Sequence, residues 1–183
     1  MADVGQGSLL ISDPFLQDPN FMRTAILVCE HLPEGSFGFV LNRPYEKPVG
    51  DVVAELEGID FPVFYGGPVQ PNTLHFIHSV PDIIPDSVRV AEGIYWGGRL
   101  EDIMENIKLQ KITPEQIRFY IGYSGWGEGQ LDDEIASRSW IITPANHQLV
   151  FHSEPELIWR DALKTMGGEY QQMVNYPIDP QLN

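Results

Sequence analysis

The stretch Ala25-Ile26-Leu27-Val28-Cys29-Glu30-His31-Leu32-Pro33-Glu34-Gly35-Ser36-Phe37-Gly38-Phe39-Val40-Leu41-Asn42 decides the fold class. Its first five residues are continuously apolar and rich in branched side chains, the pattern of a strand covered on both faces. Leu32-Pro33-Glu34-Gly35 then interrupts with residues that turn the chain. Beyond the turn, Phe37, Phe39 and Leu41 alternate with Gly38, Val40 and Asn42, as they must on a pleated strand. Two strands joined so tightly run antiparallel.

Working outward, Leu9-Leu10-Ile11, closed by Asp13-Pro14, predicts an earlier strand. Val49, Val52, Val53 and Leu56 fall at i, i+3, i+4 and i+7 and predict a short helix that stops at Gly58. Strands are predicted at residues 63–65 and 73–79, separated by the turn Gly66-Gly67-Pro68-Val69. Residues 80–98 read as loop with a β fragment around residues 88–90. Leu100, Ile103, Met104 and Ile107 stripe a helix over about residues 99–109. Thr113-Pro114-Glu115-Gln116 has the form of a capping box, yet Ile117, Phe119, Ile121 and Tyr123 alternate strictly with Arg118, Tyr120, Gly122 and Ser124. One turn feeding a strand satisfies both signals, and the glycines at 122, 125, 127 and 129 predict where that strand breaks. A short helix carrying Leu131 and Ile135, a strand at residues 140–143, and a last helix follow. That helix is expected to be capped by Ser153 with Glu156, with Trp159, Ala162, Leu163 and Met166 buried, and the tail from Tyr176 to be extended. Tight-turned strands first and longer helices later, without regular alternation, predict one α+β domain spanning residues 1–183.

The 183 residues carry 26 acidic and 11 basic side chains, a formal net charge of −15. A nucleic-acid binder needs clustered Lys and Arg to neutralise phosphates, and the densest basic stretch here, Lys108, Lys111 and Arg118, is diluted by Glu101, Asp102, Glu105 and Glu115. Direct DNA binding and attachment to anionic membranes are both disfavoured. No apolar run approaches the roughly 20 residues of a membrane helix. The opening residues lack a secretory pattern, so a cytoplasmic location with Cys29 reduced is expected.

Four patterns invite a chemical reading. Gly122-Tyr123-Ser124-Gly125-Trp126 nearly spells a nucleophile elbow, with acids and then His147 and His152 following, but Trp126 stands where the sharp turn needs a tiny residue. The same glycine-rich loop could cradle a phosphate, although its spacing is not that of a nucleotide loop and Glu128, Asp132 and Asp133 oppose an anion. Cys29, His31, His75, His78, His147 and His152 lack the paired spacings of a structural zinc site, so no metal and no cofactor is expected. Asn42-Arg43-Pro44, at a strand end, presents a fork of donors suited to a carboxylate or a carbonyl.

Taken together, Gly7-Ser8-Leu9-Leu10-Ile11-Ser12, Phe21-x-Arg23, Cys29-Glu30-His31, Gly38-Phe39-Val40-Leu41-Asn42-Arg43-Pro44 and Tyr65-Gly66-Gly67-Pro68-Val69 resemble the AlgH/YqgE family of small bacterial proteins. So do Gly122-Tyr123-Ser124-Gly125-Trp126-x-x-Gly129-Gln130-Leu131-x-x-Glu134 and the closing Asp179-Pro180-x-Leu182-Asn183. The resemblance implies a branched, mostly antiparallel sheet curled into a pseudo-barrel with flanking helices. It implies little about activity beyond a label of transcriptional regulator. Ser124 stands where that family often has alanine.

Two functional expectations follow. The first is a non-catalytic binding or regulatory domain, acting through a protein partner or a small ligand. Asn42, Arg43, Pro44, Gly66, Gly67, Pro68, Gly125, Trp126 and Gln130 would form its receiving rim. The alternative is a hydrolase using Ser124, or a water activated near Glu30 and His31. A regulator that contacts DNA is the further alternative.

Overall fold

The computed structural model describes residues 3–178. The predicted hairpin is β2 (Ala25–Leu32) and β3 (Gly35–Val40), flanked by β1 (Ser8–Ser12). The sheet continues with β4 (Val63–Tyr65), β5 (Val69–His78), β6 (Val88–Ala91), β7 (Ile94–Trp96), β8 (Ile117–Gly127) and β9 (Trp140–Pro144). Nine strands form one sheet in the order β6-β7-β5-β8-β3-β2-β1-β9, with β4 branching from β8. The helices are α1 (Leu100–Lys108), α2 (Gln130–Ala136), α3 (His147–Val150), α4 (Ile158–Met166) and α5 (Gly168–Met173). This is the expected α+β architecture, a curled, mostly antiparallel sheet flanked by helices.

The continuous apolar run of β2 and the alternation of β3 have their cause in two cores. Leu27, Phe39 and Leu41 face one, where α4 lays down Ile158, Trp159, Ala162 and Leu163. Ile26, Val28 and Val40 face the other, closed by Trp126, Leu131 and Trp140. A third core lies beneath α1, where Ile103 and Ile107 meet Phe76, Ile117 and Phe119. Burying a Leu, Ile or Phe side chain contributes about 1.5–3 kcal/mol, so covering both faces of the hairpin anchors the sheet.

The branch at β8 is where a strand changes partners. One edge of β8 pairs with antiparallel β5; the other pairs first with parallel β4, at Phe119 to Ile121, and then with antiparallel β3, at Ser124 to Gly127. Gly66 leaves β4 at the fork, its N–H donating to Ile121 O and its carbonyl accepting from Val40 N, both at 2.8 Å. Backbones approach so closely here that a Cβ on Gly67 would stand 2.2 Å from Tyr123 C, and Gly67 also has φ +153°. Gly122 has φ +68°.

Four expectations are corrected. The strand ends at Gly127, within the predicted run of glycines, but the strict alternation does not carry through to Tyr123, because the left-handed Gly122 shifts it. Tyr123 therefore joins Tyr120 against the first core, not Ile121 against the third. Residues 49–56 form two 3₁₀ turns, Val49–Asp51 and Ala54–Leu56, not one helix, because β-branched Val52 and Val53 and the preceding Gly50 disfavour helical backbone and Val53 is extended. Ser153 caps nothing: a 3₁₀ turn at Pro155–Leu157 leads into α4, whose start has no side-chain cap, and Glu154 N–H donates to His152 Nδ1 instead. Residues 80–98 hold a full β6-β7 hairpin. The motif at 179–183 lies outside the described residues, and of the expected extended tail only residues 176–178 fall within them.

Candidate functional site

Strands β3, β5, β7 and β8 meet around an open cleft of about 510 Å³. Phe37 of β3, Trp96 of β7, Tyr123 of β8 and His75 of β5 line it with aromatic surface. Phe37 meets Trp96 at a centroid distance of 4.9 Å and 64°, and Tyr123 at 6.1 Å and 77°; His75 meets Tyr123 at 5.8 Å and 86°. Edge-to-face packing, in which the edge of one ring meets the face of its neighbour, is a favoured aromatic geometry. Gly125 contributes backbone alone: a Cβ there would find the Tyr123 ring at 3.4 Å, an ordinary contact.

The acceptors of the cleft follow from local geometry. Thr73 Oγ1 is 2.7 Å from Gln70 O and 2.9 Å from His75 Nε2. A carbonyl only accepts, so the hydroxyl proton goes to Gln70 and His75 donates its Nε2–H to Thr73. That leaves His75 Nδ1 as the acceptor, and burial lowers the pKa of the ring below the usual histidine value, favouring the neutral form. Glu30 and Glu34 line the cleft from its exposed side. A bulge between Val28 and Glu30 sets Glu30 opposite Phe37 while Leu27 is opposite Phe39, so Glu30 faces the same side as these aromatics. Among the described residues no Lys or Arg lines the cleft.

The candidates for catalysis do not converge. Ser124 is fully buried, and its Oγ donates to Gly66 O at 3.1 Å, tying the sheet fork together. Glu30 and His31 are neighbours on a strand and point to opposite faces. His31 turns away from the cleft, with Nδ1 2.6 Å from Ser36 Oγ and Nε2 3.8 Å from Asp132 Oδ1. The Cys29 thiol is buried, and desolvation with the nearby Glu30 charge pushes its pKa far up, so it stays protonated. His152 and Asp161 form a dyad at 2.7 Å beside a second depression, but His152 Nδ1 already accepts from Glu154 N–H and neither ring nitrogen is free to act as base. Among the described residues no three or more His, Cys, Asp or Glu side chains cluster as metal ligands would. No helix among them is long and apolar enough to cross a membrane.

The residues expected to form one rim are distributed over two faces. Asn42 donates to Arg23 O and accepts from Ala25 N–H; Arg43 donates to Pro19 O at 2.7 Å and Met22 O at 2.9 Å. The donor fork is therefore committed to the loop between β1 and β2. Arg43, Gly67 and Pro68 line a separate depression of about 230 Å³ beside Val40, and Pro44 bridges to Phe64. Gly66 is the sheet fork. Gly125 and Trp126 line the aromatic cleft, and Gln130 accepts from Gly127 N–H at the start of α2. Phe37, His75, Trp96 and Tyr123 were not among the expected binding residues; the aromatic alternation of β3 is the one local signal that pointed toward them.

Residues 9–171 match the model of the AlgH-like family. A UPF0301 protein of Chlorobium luteolum is 43% identical over 177 residues, covering 97% of this chain and 94% of that one. A UPF0301 protein of Cytophaga hutchinsonii is 40% identical over 179 residues, covering 97% and 98%. The solution structure of AlgH from Pseudomonas aeruginosa superposes with a TM-score of 0.73 at 25% identity, covering 97% and 98% of the two chains. A crystal structure of a Corynebacterium diphtheriae protein has the same fold, with a TM-score of 0.78 at 21% identity over 94% and 92%.

Proposed function

We propose that this chain, which belongs to the AlgH-like family, is a non-catalytic binding protein that takes a small ligand in the cleft between β3, β5, β7 and β8. The observation that carries this reading is the cleft itself: aromatic walls from three strands with a few acceptors, and no nucleophile held against a base. Concave, largely apolar sites with sparse polar groups, of roughly 300–1,000 Å³, are what small-molecule pockets look like. The net charge of −15 favours regulation through such a ligand, or through a protein partner that senses it, over direct contact with DNA.

Gly125→Leu provides the control. Gly125 lies outside the positive-φ region and a Cβ there makes ordinary contacts, with the Tyr123 ring at 3.4 Å and Val69 Cγ2 at 3.7 Å, so a leucine at this lining position is expected to fold and to occlude the cleft. A fragment set of small acids, amines and neutral compounds, screened by ¹⁵N–¹H spectra, is expected to yield binders that shift Gly35, Trp96 and Tyr123 in the wild type and not in Gly125→Leu. Binders that shift other regions, or shift the variant equally, would contradict the reading, as would a screen without any binder.

A further inference from the structure

We infer that the ligand of this cleft is an organic cation, a small molecule presenting an alkylammonium or guanidinium group. The inference rests on the binding reading above and goes beyond it by naming the charge and hydrogen-bonding character of the ligand.

Three observations converge. The rings of Phe37, Trp96 and Tyr123 line the cleft, and the quadrupole of such a ring attracts a cation placed over its face. Both charged side chains that line the cleft, Glu30 and Glu34, are carboxylates, and His75, its Nε2–H engaged by Thr73, keeps Nδ1 as an acceptor, while the Tyr123 and Ser36 hydroxyls and the Trp96 N–H are neutral groups able to donate. Alkylammonium and guanidinium groups carry positive charge and donors, the complement of those two carboxylates. Finally, among the described residues no basic side chain lines the cleft, whereas an anionic ligand would meet two carboxylates of its own sign. The bulge in β2 matters here. Without its extra residue the strict alternation of the strand would carry Glu30 to the other face, and the cleft would lose one of its two carboxylates. Glu30 and Glu34 are both exposed, so they attract the cation through solvent and their contribution is screened by salt.

The test compares three probes that share a 2-phenylethyl group on the whole chain by isothermal titration at low salt: 2-phenylethylammonium, neutral 2-phenylethanol, and 3-phenylpropionate. The ammonium is expected to bind about tenfold tighter than the alcohol, within the range of a cation–π contact assisted by carboxylates, and the carboxylate to bind weakest. The double variant Glu30→Gln, Glu34→Gln changes two exposed side chains and is expected to fold normally. It should reduce the preference for the ammonium to less than about threefold, with Gly125→Leu abolishing binding of both. If alcohol or carboxylate binds the wild type as well as the ammonium does, and Gly125→Leu removes that binding, the cleft is a ligand site and the cation inference fails alone. If no probe binds, or if Gly125→Leu leaves the binding intact, the site reading fails and takes the inference with it.

Discussion

Replacing Ser124 with alanine separates a structural hydroxyl from a nucleophile. Ser124 Oγ is fully buried and donates at 3.1 Å to Gly66 O, a carbonyl that also accepts from Val40 N–H at 2.8 Å. Removing the hydroxyl deletes one neutral hydrogen bond, worth about 0.5–1.5 kcal/mol net, and leaves no polar partner orphaned because the carbonyl keeps its backbone donor. The void left by one oxygen atom is small, and alanine suits the strand backbone of β8. The expected loss is therefore about 1 kcal/mol, which for a chain of this size lowers the melting temperature by about 2–4 °C. Urea denaturation followed by tryptophan fluorescence measures it, with unchanged slope and a slightly lower midpoint expected. A fluorophosphonate probe should leave the wild type unlabelled. Labelling that vanishes in Ser124→Ala, or a loss above about 3 kcal/mol, would refute the assignment of this hydroxyl to the sheet fork.

Other outcomes follow from the same structure. Gly67→Ala forces a Cβ to within 2.2 Å of Tyr123 C at φ +153°, and should cost about 3 kcal/mol or more or prevent folding, whereas Gly125→Ala should stay within about 1 kcal/mol in the same urea experiment. Glu134 lies against the indoles of Trp126 and Trp140, with Oε2 and Trp140 Nε1 buried yet outside hydrogen-bond geometry; desolvation raises its carboxyl above the ordinary 4.5 despite those indoles. A raised carboxyl favours folding fully below its unfolded pKa, and that contribution is lost as pH rises through the folded value. The stability of Glu134→Gln relative to wild type should accordingly improve between pH 4.5 and pH 8; a difference that is flat or falls would contradict this. His75 and His78, both lowered by burial, should titrate below 6.5 by NMR, with His75 in the Nε2–H tautomer. A lowered histidine pKa means that stability is full above 6.5 and declines as pH falls toward the folded values.

The sheet was legible where its signals are local. The five apolar residues of β2 and the alternation in β3 foretold the two covered faces because those faces are set by period-two geometry. The fork was not legible. Gly122 in a local window reads as a strand end, and only the exchange of β4 for β3 along one edge of β8 makes a left-handed residue fit inside a continuing strand. The helix expected from Val49 to Leu56 shows the reverse error: the spacing was right, but Gly50, Val52 and Val53 lack the backbone preference to sustain a helix. Asn42 and Arg43 looked like free donors because their acceptors, carbonyls about twenty residues earlier, have no signature in the side-chain sequence. The cleft stayed hidden for the same reason. Phe37, His75, Trp96 and Tyr123 come from four strands, and Tyr123 reaches it because Gly122 shifts the alternation.

The most direct measurement is a crystal structure of the chain grown with 2-phenylethylammonium. The aryl ring is expected against Phe37, Trp96 or Tyr123 and the ammonium within hydrogen-bond distance of Glu30, Glu34 or His75 Nδ1. A ligand seated elsewhere, or an ammonium pointing to solvent while the ring alone occupies the cleft, would contradict it.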